Sequence, residues 1–310
     1  MQLRVEVSFG TAHLFGVVDG STSATLLDGA VEAGFRRVDT APSYGFGGSE
    51  PAVGLLRRRH PQLLVTTKVG LAPGERPSGR RALVGRAIDR LPDRLRQQVR
   101  DRGSADPSEP TGRFGVEVVR TSVAESVRRL GHLDRLLLHE VSPADLTDDL
   151  LALLQRFQQV GDVGELGVGT ATSVTVSALA RGDGLLTVGQ LPAGPFAEPV
   201  VPPGVTIVGH GLLGAGGRDL GRLRQVLSRD AAAREAWGRA VAGTAWGGPD
   251  GLATALLQRP HRLGLAEVVV ASGRPAALPA LAAMGADPGV EVGRWDALEA
   301  LLARASATTW

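Results

Sequence analysis

The 310-residue chain contains no cysteine and no asparagine, and it has only two isoleucines (Ile88 and Ile207), one tyrosine and one lysine. Without cysteine there are no disulfides, no thiol nucleophiles and no thiolate metal sites. Aromatic residues make up only 4% of the chain and no basic stripe carries them between its charges, which argues against a nucleic-acid surface. The formal net charge is +2, its arginines interleaved with acids. No uncharged apolar run reaches the roughly 18 residues that a membrane-spanning helix needs. The first residues, MQLRVEVSFGTAH, lack the basic run and apolar stretch of an export signal. The expectation is a cytoplasmic protein that engages neither membrane nor nucleic acid. HEVSP, beginning at His139, lacks the second histidine of an HExxH zinc motif, so no metal site is expected.

What the chain does contain is abundant arginine, glycine, alanine and leucine, the mark of drift toward GC-rich codons. Under such drift a surface lysine becomes arginine at little cost, because a solvated positive charge is all it must supply. Lys68, alone among 34 basic residues, therefore marks a place that needs a compact, titratable ammonium. Tyr44, in VDTAPSYGFGGSE, lies 24 positions earlier and calls for a similar explanation.

Apolar residues at 43% and charged residues at 21% describe a globular protein with enough chain for one large core. Short apolar runs ending in a polar residue alternate with longer amphipathic segments, the pattern of repeated βα units. The runs are VSFGTA, FRRVDT, LLVTTK, DRLLLH, GELGVG, LLTVGQ, VTIVGH and AEVVVAS. Between them, SVAESVRRLG puts Val123, Val127 and Leu130 on one helical face, and Leu146, Leu150, Leu153 and Phe157 repeat likewise. Eight such runs predict a single α/β domain over residues 1–310, a (β/α)8 TIM barrel. No GxGxxG follows the first run, which disfavours a doubly wound sheet. Residues 71–113, after the third strand, form a polar insertion with ten arginines and six acids, either a solvated excursion or a lid. LPAGPFAEPVVPPG, rich in proline, predicts a shortened or missing sixth helix. Residues 285–310 are a carboxyl-terminal extension.

Asp39, Lys68, His139 and Gln190 each end an apolar run, with Tyr44 in the loop after Asp39. In a barrel all five converge at one mouth. Singly each has an ordinary structural explanation, but five together point to a site. At these residues the chain resembles the aldo-keto reductase superfamily from about Val7 to Met284. The resemblance rests on DTAPSYGFGGSE, TTKVG and SVAESVRRLGHLDRLLLHE, with GELGVG, VGQLP and VVVASGRP later. Within the superfamily the long insertion is more similar to the sugar-directed aldose or galactose dehydrogenases. The resemblance implies a catalytic tetrad of Asp39, Tyr44, Lys68 and His139. In that chemistry Tyr44 gives a proton to a carbonyl oxygen as hydride arrives at carbon, Lys68 lowers the phenol's pKa, Asp39 keeps the lysine charged, and His139 donates to the oxyanion.

The resemblance also implies NADPH, though several of the family's nicotinamide positions are altered. Gly169 and Thr170 stand where a Ser-Asn pair binds the carboxamide, and Ala277 and Leu281 stand where polar residues hold the adenine. What remains for a cofactor is Thr170, Gln190, His210 against the nicotinamide ring, and the GLLGAGGRD backbone with Gly214, Gly216 and Arg218 for the pyrophosphate. Ser272 and Arg274 remain for a 2′-phosphate. Phe46 and Trp246 are candidates for an apolar wall around a small-molecule substrate, Trp246 and Trp237 being equally suited to packing. Two other readings stay open: a redox-neutral elimination, isomerisation or cyclisation by the same acid/base residues with no nicotinamide, and a noncatalytic binding subunit, in which a complete tetrad has no reason to persist.

Overall fold

The computed structural model describes residues 4–74, 113–200 and 202–307. The strands are β1 (Glu6–Gly10), β2 (Arg37–Asp39), β3 (Leu64–Val69), β4 (Leu133–His139), β5 (Val163–Gly169), β6 (Val188–Pro192), β7 (Thr206–His210) and β8 (Glu267–Val270). They close into a barrel in sequence order, and β1 pairs in parallel with β8. Each is covered on both faces, which is why the runs read as nearly continuous apolar residues: Leu136, Leu137 and Leu138 of β4 are all buried. The period of two still sets direction. On β3 Thr67 bonds Glu50 of the helix layer, while its neighbour Lys68 bonds Asp39 inside the mouth.

The surrounding helices are α1 (Gly20–Glu32), α2 (Ser49–Arg59), α3 (Val116–Leu130), α4 (Asp148–Gln159) and α5 (Thr172–Arg181), followed by α6 (Arg218–Arg229), α7 (Ala231–Val241), α8 (Gly251–Leu263), α9 (Leu278–Ala283) and α10 (Val292–Ala307). The predicted apolar faces are the buried ones, with Leu150, Leu153, Leu154 and Phe157 of α4 turned inward. Where α2 crosses α3 the backbones touch: a Cβ on Gly54 would stand 2.1 Å from the Arg129 carbonyl oxygen. No described residue between β6 and β7 is helical, as the prolines predict. Most of the insertion, residues 75–112, lies outside the described residues, and so does the question of a lid.

Two features go beyond the expected βα repeat. The β7–β8 connection carries three helices, α6 to α8, which pack with α10 around a second apolar core containing Leu223, Trp237, Trp246, Trp295 and Leu298. Trp246 stacks on Trp237 at 6.1 Å and meets Trp295 edge-on at 4.9 Å. Its indole N–H donates to Gln258 Oε1 at 2.7 Å. Trp246 therefore packs within this core, the second of the two roles that its sequence position allowed. The second feature is charge within the barrel. Arg135 reaches Glu267 at 2.7 Å and Glu165 at 2.8 Å, and Arg37 lies 3.8 Å from Glu267. Leu137, Val188 and Val208 form an apolar cluster of their own, with Val269 packed on it. Together these groups fill the interior and leave the strands' carboxyl ends as the place for chemistry.

Candidate active site

Tyr44 opens a short 3₁₀ turn directly after β2, held by its own N–H to the Ala41 carbonyl at 3.1 Å. Gly45 follows at φ +59°, where a Cβ would stand 2.5 Å from the Leu14 carbonyl oxygen, so only glycine fits beneath the β1 loop. Phe46 also takes a left-handed conformation, at φ +54°, an uncommon posture for a bulky residue. This turn folds the chain back so that the phenol lies over the barrel mouth.

Beneath it Lys68 is buried, with 1% of its surface exposed. Its ammonium donates to Asp39 Oδ1 at 2.6 Å and to the Thr40 carbonyl at 3.3 Å, and lies 4.9 Å from the centroid of the Tyr44 ring. Removing one partner of such a pair would leave an uncompensated charge in the interior, at a cost of about 3–5 kcal/mol. Asp39 and Tyr44 hold the Lys68 pKa above its ordinary value against the opposing pull of burial, so the lysine stays charged. His139 meets the Tyr44 ring edge-on at 6.0 Å. Burial, the largest influence, and the Lys68 charge push the His139 pKa down to about 4, so its imidazole is neutral near pH 7. Burial likewise lowers the His210 pKa, with the Lys68 charge adding to it and Asp39 opposing it.

The phenol behaves differently from the sequence-based expectation. Burial is the largest influence on Tyr44 and raises its pKa; the Lys68 charge opposes this but does not overcome it, and Asp39 and Glu140 add to the rise. The resting site therefore holds a protonated phenol above a charged ammonium, which can deliver a proton to an oxygen that becomes negative.

The structure brings Asp39, Tyr44, Lys68, His139, Gln190 and His210 to one mouth. Gln190 sits there differently than expected: its Nε2 donates to Asp39 Oδ2 at 2.8 Å, between residues 151 positions apart. That bond fixes the amide, and Gln190 Oε1 lies 3.5 Å from where a Cβ on Gly169 would stand. The Thr170 hydroxyl donates to Glu140 at 3.4 Å. Gly214 and Gly216 lie in the turn between β7 and α6, at φ +79° and +63°, and Arg218 is exposed at the start of α6. A Cβ on Gly214 would stand 2.4 Å from the Asp219 carboxylate, which packs against the turn. Ser272 and Arg274 follow β8 and bond each other, the Arg274 N–H donating to Ser272 Oγ at 3.0 Å while its side chain is exposed.

Three contributors were not assigned from sequence. Glu50 is buried and takes Thr67 at 2.6 Å, Ser126 at 2.8 Å and Arg129 at 2.9 Å, anchoring α2 just after the Tyr44 turn. Its place in the GGSE segment was the available signal. Glu140, at φ +58° beside His139, and Asp219 carry no local motif. Among the described residues no group of three His, Cys, Asp or Glu is placed to hold a metal ion, and no helix is long and apolar enough to cross a membrane.

Comparison with known proteins bears on the family and the fold. The profile of the Aldo/keto reductase family matches residues 6–187, which span β1 through α5 and end just before β6. A D-threo-aldose 1-dehydrogenase from Pseudomonas sp. is 30% identical over 189 residues, 56% of this chain and 53% of that protein, so the match spans about half the length of that relative. The glycerol dehydrogenase of Gluconobacter oxydans shares the fold at TM-score 0.66 and 18% identity, over 99% of this chain and 94% of its own. An aldo-keto reductase from Bacillus halodurans, solved in its holo form, aligns at TM-score 0.64 and 17% identity, over 96% and 91% of the two chains. With more than half its length matched by the family profile and its barrel closed in the order observed, the chain belongs to the aldo/keto reductase family.

Proposed function

We propose that the protein is an oxidoreductase that interconverts a carbonyl and an alcohol on an aldehyde, a ketone or a sugar, with Tyr44 as the proton donor in the reductive direction and NADPH as cofactor. The observation that carries this reading is the charged Lys68, locked to Asp39 at 2.6 Å, beneath the protonated phenol of the chain's only tyrosine. A substrate oxygen within reach of Tyr44 and His139 receives the phenolic proton from one and a hydrogen bond from the neutral imidazole of the other. The phenolate left behind faces the Lys68 charge, which stabilises it more than it stabilised the neutral phenol. This difference lowers the barrier. Asp39 holds Lys68 charged and aimed throughout.

NADPH would supply the hydride. The residues present fit it at two points: Gln190 Oε1, beside Gly169, can accept from a carboxamide N–H, and the exposed Arg274 can pair with a 2′-phosphate. His210 lines the same mouth. The Gly214 turn is less suited to a pyrophosphate, because the Asp219 carboxylate packs against it. That contact, and the Thr170 hydroxyl given to Glu140, favour a second reading in which the same four residues move protons without hydride, in an elimination, isomerisation or cyclisation. A small-molecule substrate in the cytoplasm suits either reading.

The test is Tyr44→Phe, assayed against a panel of aldehydes, ketones and sugars with NADPH, with thermal melting on the same preparation. The expected outcome is loss of turnover with a nearly unchanged Tm, since a hydroxyl at the mouth serves chemistry more than packing. Near-normal turnover would remove Tyr44 from the mechanism.

A further inference from the structure

Asp39 is buried, and both of its oxygens are committed. Oδ1 takes the Lys68 ammonium at 2.6 Å, and Oδ2 takes the Gln190 amide at 2.8 Å. Gln190 is itself 6% exposed. It reaches Asp39 from β6, on the far side of the barrel mouth, whereas Lys68 reaches it from the adjacent β3. With only Oδ1 bonded, the carboxylate could turn about its Cβ–Cγ axis and carry the ammonium with it. With both oxygens bonded its plane is fixed, and so is the position of the positive charge relative to the Tyr44 ring 4.9 Å away.

We propose that Gln190 is a positioning residue of the proton-transfer machinery, acting through Asp39 and Lys68 on the ionisation of Tyr44. The proposal rests on the reading of Tyr44 as the proton donor and adds to it a residue that touches neither the phenol nor the reacting oxygen. A donated hydrogen bond to a buried carboxylate draws negative charge toward Oδ2, away from Lys68, and leaves more of the ammonium's field for the phenol. Without that bond Asp39 neutralises Lys68 more completely, and the phenol becomes harder to ionise. Among the described residues, the charged or titratable groups around Tyr44 are Asp39 on β2, Lys68 on β3, His139 at the end of β4 and Glu140 just after it. Asp39 bears directly on the phenol, and Gln190 restrains it. The amide also joins the proton-transfer residues to the floor at Gly169, so a ligand that donates to Gln190 Oε1 polarises the same chain of bonds.

Because Tyr44 is the only tyrosine, its ionisation can be read without a substrate. Protein labelled with ¹³C at the tyrosine Cζ gives one ring-carbon resonance, whose shift is followed from neutral to strongly alkaline pH. Gln190→Met, close in size but without the donor, is expected to move the Tyr44 titration to higher pH. Gln190→Asn, one methylene too short to reach Oδ2, is expected to do the same and serves if the methionine variant does not fold. In an Asp39→Asn background neither substitution should move it further, because the path through the carboxylate is already cut. A Gln190 variant with lowered Tm but an unchanged titration would overturn the proposal and leave the amide a packing group. A further shift in the Asp39→Asn background would also overturn it, because the effect would then bypass Asp39. Loss of this proposal would leave the reading of Tyr44 intact, since that reading stands or falls on Tyr44→Phe turnover.

Discussion

Lys68 could not have drifted to arginine with the rest of the chain's cations. A guanidinium is planar and longer, and in a space where 1% of the lysine is exposed it would lose either the bond to Asp39 or the approach to the phenol. Lys68→Arg is expected to lower turnover by about a hundredfold or more, as general acid/base groups contribute roughly 10²–10⁴-fold. A loss of only a few-fold in steady-state assays would make Lys68 a generic counterion. The pH profile follows from the shifts at the mouth. Burial keeps Tyr44 protonated past its ordinary range, so if Tyr44 is the proton donor, as proposed, reduction should hold constant through neutrality and fall only in alkali. On the same proposal oxidation uses the phenolate and should rise with pH over the same range. With the His139 pKa at about 4, neither direction should show a step near 6.5, and a clear inflection there would contradict the neutral imidazole. The meeting of Asp39, Tyr44, Lys68 and His139 at one mouth is legible in the sequence because they are solitary residues or polar residues at the ends of apolar runs. Gln190 is legible as a mouth residue but not as a partner of Asp39, because a bond across 151 positions leaves no local pattern.

Elements are legible where period and breakers agree. The strand runs and the α3 and α4 faces are plain, since each pairs a regular apolar spacing with a polar or glycine stop. The prolines between β6 and β7 exclude a helix by their own chemistry. The helices between β7 and β8 escape recognition as a unit, because their apolar stripes face one another and α10, a core defined only by tertiary contact. Trp246 shows the difficulty: in sequence an isolated tryptophan serves a wall or a core equally, and only its neighbours Trp237 and Trp295 decide. Two substitutions probe this scale. Leu298→Ala, in the second core, should destabilise by about 2–5 kcal/mol, as large-to-small changes in packed interiors do. Its effect should be read by denaturant unfolding, and a loss under about 1 kcal/mol would mean the second core is loosely packed. Gly54→Ala forces a Cβ to within 2.1 Å of the Arg129 carbonyl oxygen and must push α2 from α3. Overpacking of this kind costs about 1–3 kcal/mol. Because Glu50 and Arg129 lie at the same crossing, it should also loosen the Tyr44 turn and lower turnover beyond the stability loss.

At the scale of the whole molecule, the barrel gathers its polar mouth residues at the carboxyl ends of its strands, and the part matched by the family profile, residues 6–187, contains Asp39, Tyr44, Lys68 and His139. Gln190, His210, the Gly214 turn and Arg274, which the proposed reading assigns to a nucleotide, lie beyond that match. Nucleotide binding is therefore the property on which the oxidoreductase reading most depends. If Arg274 pairs with a 2′-phosphate at the rim, Arg274→Ala should erase most of the preference for NADPH over NADH, and the wild-type affinity should fall as salt rises. The most direct measurement is calorimetric titration of the purified chain with NADPH and with NADH, which needs no substrate. Saturable binding of NADPH, tighter than that of NADH, is the expected result. No saturable binding of either nucleotide up to millimolar concentrations would contradict the oxidoreductase reading and leave Asp39, Tyr44, Lys68 and His139 as a proton-transfer site without hydride.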